Sequence, residues 1–171
     1  KKWLSAYLDW LLTSKLGKEE GATLNNHASG YDAQVTEIAW FLGNKDLVKK
    51  ISEEAKAKRI TTQIEPDGSQ PHELKRTKSL GYCALNLAFL FDLAETAEKV
   101  DVDLWHYQSK DGRSLEKALE YLALYLGPKA RKWPYKQISR PSRSRLASLY
   151  RKAATVYRSD EFKKIASHYE R

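Results

Sequence analysis

The chain of 171 residues contains no methionine, a single cysteine and no long apolar run. The one cysteine, Cys83, excludes an intramolecular disulfide, and its apolar neighbours predict a small buried side chain. No stretch approaches the length of a transmembrane span, and no signal peptide is recognisable. Because the initiator methionine is missing, we expect the chain to be a processed or truncated piece of a longer protein.

Acidic residues are outnumbered, since 30 Lys and Arg face 22 Asp and Glu and leave a net charge of +8. A basic surface suits a polyanion such as nucleic acid, anionic lipid or an acidic polysaccharide. The main run without an acid extends from Lys129 to Arg151, and it fits a solvated helix face as well as a binding surface. No signature of a nucleic-acid-binding module and no metal-ligand spacing is recognisable.

Strand signals are nearly absent, and the apolar spacing is helical throughout. The pattern predicts a first helix to about Ser14, ended by Gly17 and the polar run to Glu20, and further helices over about 31–42, 45–63, 79–99, 114–126, 142–157 and 160–169. Residues 21–30 are rich in Gly, Asn and Ser and are predicted to form a loop before the second helix, where the helix dipole would explain Asp32. A single all-α domain over residues 1–171 is therefore expected, with a toroid of paired helices or a generic bundle as its architecture.

Four side chains, Asn26, His27, Arg76 and Tyr82, match the needs of β-elimination in a uronic-acid polymer. That reaction needs donors that neutralise the carboxylate, a base that takes the C5 proton and an acid that protonates the leaving oxygen. Asn26, His27 and Arg76 are suitable donors, and His27 and Tyr82 can exchange protons. Taken singly, each has a plainer explanation: Asn26 suits a turn or cap, Arg76 is one of many cations, and Tyr82 is one of ten tyrosines.

The separation of Arg76 and Tyr82 gives a geometric expectation. The two residues would lie about 240° apart around an ideal helix and would not share a face. Either the helix begins after Arg76, or the substrate lies across the helix start and Arg76 reaches it from the side.

Several separated motifs, in this order, resemble the alginate lyase superfamily of polysaccharide lyases. The motifs are Asn25-Asn26-His27, a helical stretch that ends at Arg59-Ile60, the stretch 63–71 and the stretch from Glu73 to Tyr82. In that family an Asn-His pair, an Arg and a Tyr line a cleft in an incomplete α/α toroid, so the resemblance implies those roles for Asn26, His27, Arg76 and Tyr82. It also implies that the chain is the C-terminal part of a longer catalytic domain, with its first helices missing.

Four further residues are candidates for substrate binding. Gln70 is expected to bond sugar hydroxyls, and Glu73 to hold Arg76 from three positions away. Trp133 and Tyr135 could stack on sugar rings, although Trp and Tyr are more often core residues.

The sequence separation of Arg76 and Tyr82 is one residue shorter than in the compact alginate lyases. In this respect the chain is more similar to the branches that act on glucuronan or oligo-alginate.

The sequence therefore predicts a polysaccharide lyase that cleaves a 1,4-linked polyuronate, alginate or glucuronan, and leaves a 4,5-unsaturated uronate end. The alternative is a non-catalytic helical module that binds acidic polysaccharide through the basic run. We expect no cofactor, no nucleic acid and no membrane as partner. Following the family resemblance, we expect a periplasmic or secreted location.

Overall fold

A computed structural model of the chain describes residues 1–128 and 130–170, so Lys129, the first cation of the basic run, lies outside the described residues. Helix α1 spans Lys2–Thr13 and α2 spans Lys15–Gly21. Ser14 separates them and caps α2, because its hydroxyl accepts a hydrogen bond from Gly17 N at 3.0 Å. The sequence predicted that Gly17 ends the first helix, and this was wrong. Gly17 is there because a Cβ would overlap the carbonyl oxygen of Leu11.

Helix α3 spans Asn26–Leu42 and ends at Gly43, which has a φ of 86°. The predicted loop over 21–30 is therefore too long, because the last residues of that stretch form the first turn of α3. The small size of Gly30 serves packing rather than flexibility, because a Cβ there would lie 3.1 Å from the ring of Phe89. The glycine lets α3 approach closely the helix that carries Phe89.

The predicted helix over 45–63 is present but changes its geometry on the way. Helix α4 spans Lys45–Ala55, a π-helical segment spans Lys56–Ile60, and the single turn α5 spans Thr61–Gln63. A turn at Gly68 follows, and then the short α6 at Pro71–Leu74. π-helical turns inside helices occur frequently at functional sites, and they alter which side chains point inward.

Helix α7 spans Ser79–Glu98 and is buried on most of its sides, as expected for an apolar helix at the centre of a fold. Cys83 lies inside it as a buried thiol, which confirms the prediction. Helices α3 and α4 pack on α7, and α8 (Leu115–Ala123) and α9 (Arg143–Val156) contact it elsewhere. The last helix, α10, spans Asp160–Glu170 and packs mainly on α9.

Residues 131–140, here called the strap, connect α8 to α9 without helical structure and cross the start of α7. Ser79 N donates to the carbonyl of Lys136 at 3.2 Å, and Ile138 N donates to that of Thr77 at 3.0 Å. The bridge between Lys78 and Gln137 is the one β-type pairing among the described residues. The strap therefore lies against the segment that leads into α7.

The all-α prediction is confirmed, since every regular element of the described part of the chain is helical. The toroidal order of the helices stays a prediction. Within residues 1–128 and 130–170, no helix combines the length and the apolarity that crossing a membrane requires.

Candidate active site

Asn26 and His27 occupy the first turn of α3. Asn25 caps this helix, with its side-chain oxygen accepting a hydrogen bond from His27 N at 3.1 Å. The side chain of Asn26 is buried and that of His27 is exposed. The N–H groups of the first turn are already engaged, since Asn26 N donates to Glu73, so only the positive end of the α3 dipole is left to favour an acidic sugar.

His27 contacts a carboxylate that the sequence did not indicate. Glu20 Oε1 lies 2.7 Å from His27 Nδ1, and the two side chains are 48% and 47% exposed. In the neutral imidazole a carboxylate at this position holds the proton on Nδ1 and leaves Nε2 as the free acceptor. Glu20 therefore orients the ring and selects which nitrogen faces outward.

Glu73 is the junction between the two parts of the site. It is 1% exposed, and its Oε1 accepts a hydrogen bond from Asn26 N at 2.6 Å. Its Oε2 has no hydrogen-bond partner among the described residues and lies 4.0 Å from Arg76 Nη1. Burial raises the pKa of the Glu73 carboxyl, while the Asn26 N–H, Arg76 and His27 act in the opposite direction. One carboxylate thus connects Asn26 to Arg76.

Arg76 and Tyr82 meet because α7 begins at Ser79, after the arginine. This confirms the first of the two geometries that their separation allowed. The guanidinium carbon of Arg76 lies 4.0 Å from the centroid of the Tyr82 ring, within the range of a cation–π contact. The Arg76 side chain is 31% exposed, and the Tyr82 hydroxyl makes no hydrogen bond with the part of the chain that the structure describes. Both polar ends are available to a ligand.

Gln70 lies inside the fold rather than at the surface. It is 1% exposed, its Oε1 accepts from Asn86 Nδ2 at 3.0 Å, and its Nε2 reaches the carbonyl of Cys83 at 3.4 Å. In this arrangement Gln70 and Glu73 hold the segment before α7 in place. Direct contact of either with a sugar stays a prediction, and it would require the surrounding side chains to move.

Trp133 and Tyr135 lie on the strap, next to the start of α7. Trp133 Nε1 donates to Ser79 Oγ at 2.8 Å, and the hydroxyls of Tyr135 and Tyr121 are 3.1 Å apart. Trp133 is half-buried between Tyr125 and Tyr135, while Tyr135 is 39% exposed. Of the two, Tyr135 presents more of its ring to a ligand, and sugar stacking stays a prediction for both.

A groove of about 710 Å³ opens beside the Glu20–His27 pair. Asn26 and His27 line one part of it, and Tyr7 and Trp10 of α1 line another. Arg76 and Tyr82 are not among its lining residues. The structure thus connects Asn26, Arg76 and Tyr82 through Glu73, with His27 next to Asn26 in sequence, but it does not place all four in this groove. Among the described residues no group of His, Cys, Asp and Glu is arranged to hold a metal ion.

A family model described as alginate lyase matches residues 1–133. The chain belongs to the alginate lyase family. A crystal structure of an alginate lyase from Bacteroides ovatus, solved at 1.60 Å resolution, is similar with a TM-score of 0.91 and 35% sequence identity. That similarity covers 98% of this chain and 45% of the other, so the chain spans less than half the length of that alginate lyase. No curated protein matches the chain.

Membership of the alginate lyase family confirms the resemblance drawn from the motifs. Two residues of this family member escaped the sequence reasoning. Glu20 lies on α2, a helix that was not predicted, so its contact with His27 could not be anticipated. Arg59 was seen only as the end of a helical stretch, but it is buried and bonds Asp32 through Nε at 2.7 Å and the carbonyl of Gly21 through Nη2 at 2.8 Å. The helix dipole was therefore the wrong explanation for Asp32.

Proposed function

We propose that this chain carries the catalytic residues of a polysaccharide lyase that cleaves a 1,4-linked polyuronate by β-elimination. The observation that carries the proposal is the connected set in which Asn26, Glu73, Arg76 and Tyr82 touch one after another. Alginate and glucuronan are the two substrates to test first. Because the polymer is met outside the cytoplasm, the proposal includes a periplasmic or secreted location.

The proposed reaction begins with neutralisation of the substrate carboxylate. Arg76 presents a planar fork that matches a carboxylate with two parallel hydrogen bonds, and the Asn26 side-chain amide adds a further donor. Neutralisation lowers the cost of the charge that develops on the carboxylate as C5 loses its proton. Donors that are already in place before the reaction usually contribute most to such stabilisation.

Proton transfer is assigned to His27 and Tyr82. His27 Nε2 takes the proton from C5, since Nδ1 is occupied by Glu20. The C5–H electron pair becomes the C4=C5 double bond, and the C4–O bond breaks with its electrons moving to the glycosidic oxygen. The Tyr82 hydroxyl acts as the general acid and protonates that oxygen.

The test is the ultraviolet absorbance of the conjugated unsaturated uronate, measured with the purified protein on a panel of polyuronates. We expect product from at least one of them. Tyr82→Phe removes the transferable proton and keeps the ring over Arg76, so turnover should fall by about 10²–10⁴-fold while substrate still binds. Binding of polyuronate without any unsaturated product would contradict the lyase proposal and favour the non-catalytic binding module.

A further inference from the structure

The basic run predicted from the sequence divides into two parts with different environments. In α9 two of the three arginines have side-chain partners: Arg143 donates to the carbonyl of His168 at 3.0 Å, and Arg151 bonds Glu170 at 2.6 Å. These side chains help to attach α10 to α9. They are therefore engaged in the fold and are poor candidates for the main binding surface.

The cations around the strap are in a different situation. Lys78, Lys132, Lys136 and Arg140 are all exposed. Among the described residues, none of the four has a carboxylate within ion-pair distance. The strap itself contains no acidic residue, and neither does the segment from Leu74 to Phe91 that it crosses. Their positive charges are consequently not compensated locally.

The position of these cations is fixed by hydrogen bonds to the start of α7. Ser79 Oγ donates to the carbonyl of Lys136 at 2.7 Å, and Leu80 N donates to Gln137 Oε1 at 2.9 Å. Tyr82 follows Ser79 by three residues, which is about 4.5 Å along a helix axis. Lys78 and Lys136 thus belong to segments that are held against the first turn of α7, the helix that carries Tyr82.

We propose that the strap and Lys78 bind the carboxylates of uronate residues that flank the reacting one. This inference rests on the proposed function for the identity of the polymer. A linear chain with one carboxylate per sugar presents regularly spaced negative charges, and several uncompensated cations on segments held against the start of α7 suit that pattern. Tyr135, with its ring partly exposed, lies between Lys132 and Lys136 in the same segment.

The test compares two double variants with the same change in charge. Lys78→Gln with Lys136→Gln removes two cations of the proposed surface. Lys49→Gln with Lys163→Gln removes two exposed cations from α4 and α10. Both are made in the Tyr82→Phe background, so that calorimetry measures binding of alginate and glucuronan oligomers without turnover.

We expect the first double variant to bind long oligomers about 3- to 10-fold more weakly than the second at low ionic strength, because partly exposed charge contacts contribute modestly. The difference in affinity between the two double variants should be smaller at high salt, since screening weakens surface charge interactions. This difference should also be smaller for a disaccharide, which is too short to reach the flanking cations.

Equal affinity of the two double variants for long oligomers would overturn the inference, whether or not the protein forms unsaturated uronate. If the two double variants differ in affinity but the original protein forms no unsaturated product from any polyuronate, the proposed binding surface stands and the proposed lyase reaction is rejected. A single-stranded oligonucleotide with the same charge as the polyuronate tests whether any polyanion binds this surface. If the oligonucleotide binds as tightly as the polyuronate, and the Lys78→Gln, Lys136→Gln variant weakens both by the same factor, the assignment to a uronate polymer is wrong.

Discussion

At the scale of single residues, Glu73 has an unusual environment. Its carboxylate is almost fully buried, yet one oxygen has no hydrogen-bond partner among the described residues and its nearest cation is 4.0 Å away. A buried polar atom without a partner costs free energy, so its retention calls for a reason. Fixing Asn26 and Arg76 relative to each other is such a reason.

Glu73→Gln should change how stability depends on pH. Burial raises the pKa of Glu73 above the unfolded value of about 4.3. The stabilisation from its protonated form is therefore complete below the unfolded pKa and is lost as pH rises through the folded pKa. Gln cannot ionise, so the free energy of unfolding of the variant minus that of the original protein should be larger at pH 7 than at pH 4. Urea unfolding of both proteins at both pH values measures this difference, and an equal difference at the two pH values would contradict the prediction.

Glu20→Ala should disturb the orientation of His27. Without the carboxylate at Nδ1, the fraction of neutral imidazole that carries its proton on Nδ1 should fall, which ¹⁵N NMR of the ring reports directly. We expect the turnover rate to fall about 10-fold, less than at a buried carboxylate–imidazole pair because this one is half exposed.

Glu20→Asp keeps a carboxylate near Nδ1 and should therefore restore part of the lost turnover. Glu19→Ala, a change at the exposed neighbour that pairs with Lys15, is the matched control. An unaltered tautomer in Glu20→Ala would exclude the positioning role.

The sequence was sufficient to select Asn26, His27, Arg76 and Tyr82 because their chemistry and their motifs can be read along the chain. It was not sufficient for Glu20, since the contact depends on a corner between α1 and α2 that is stabilised by a backbone approach. It also did not reveal that Gln70 and Glu73 are buried. Burial depends on how distant helices pack, and the polar side chains of these two residues predicted exposure to solvent.

At the scale of helices, glycine was the residue most easily misread. Gly17 and Gly30 were taken as helix-ending or loop residues, and both lie inside helices where a neighbouring chain segment comes close. Helix α7, by contrast, was predicted almost to its last residue, because a long apolar segment with few breakers has a strong local signal. The π-helical segment after α4 has no comparable signal in a single sequence.

Gly17→Ala should therefore destabilise the protein, although Ala is the better helix former. The new Cβ would overlap the backbone carbonyl of Leu11, which cannot move without opening the corner between α1 and α2. We expect a loss of about 1–3 kcal/mol in the free energy of unfolding. Gly81→Ala is the control, since the nearest atom to its new Cβ is 3.9 Å away, and it should gain about 0.5–1 kcal/mol. Thermal or urea unfolding distinguishes the two, and a stabilised Gly17→Ala would refute the packing explanation.

At the scale of the whole molecule, one buried ion pair connects elements from distant parts of the chain. Arg59, in the π-helical segment, bonds both carboxylate oxygens of Asp32 in α3 and the last carbonyl of α2. That carbonyl belongs to Gly21, next to Glu20 in sequence. The pair therefore supports the same region of the fold that orients His27.

Arg59→Ala should lower the free energy of unfolding by about 3–5 kcal/mol, because it leaves the Asp32 carboxylate buried without its counter-charge. The neighbouring Lys58→Ala removes an exposed cation that pairs with Glu54 and should cost at most about 0.5 kcal/mol. Urea unfolding of the two variants makes the comparison. Similar losses at both positions would mean that Arg59 contributes no more than a surface pair.

The overall class of the molecule was accessible from the sequence, since helical spacing and the scarcity of strand signals leave few alternatives to an all-α fold. The shape of the groove beside His27 was not. Its wall combines side chains of α1, α2, α3 and α7, and no local pattern specifies how those four helices cross. The sequence likewise did not show which cations of the basic run have partners, because Arg143 and Arg151 find theirs in α10, which packs on α9.

The start of α7 at Ser79 also affects how the site tolerates insertions and deletions. A residue added within a helix rotates every later side chain by about 100°. Thr77 and Lys78 lie outside α7, so a length change there alters the reach of a short turn and leaves the direction of Tyr82 unchanged. A length change before Ser79 therefore alters the distance between the Arg76 guanidinium and the Tyr82 phenol while the packed helix stays intact.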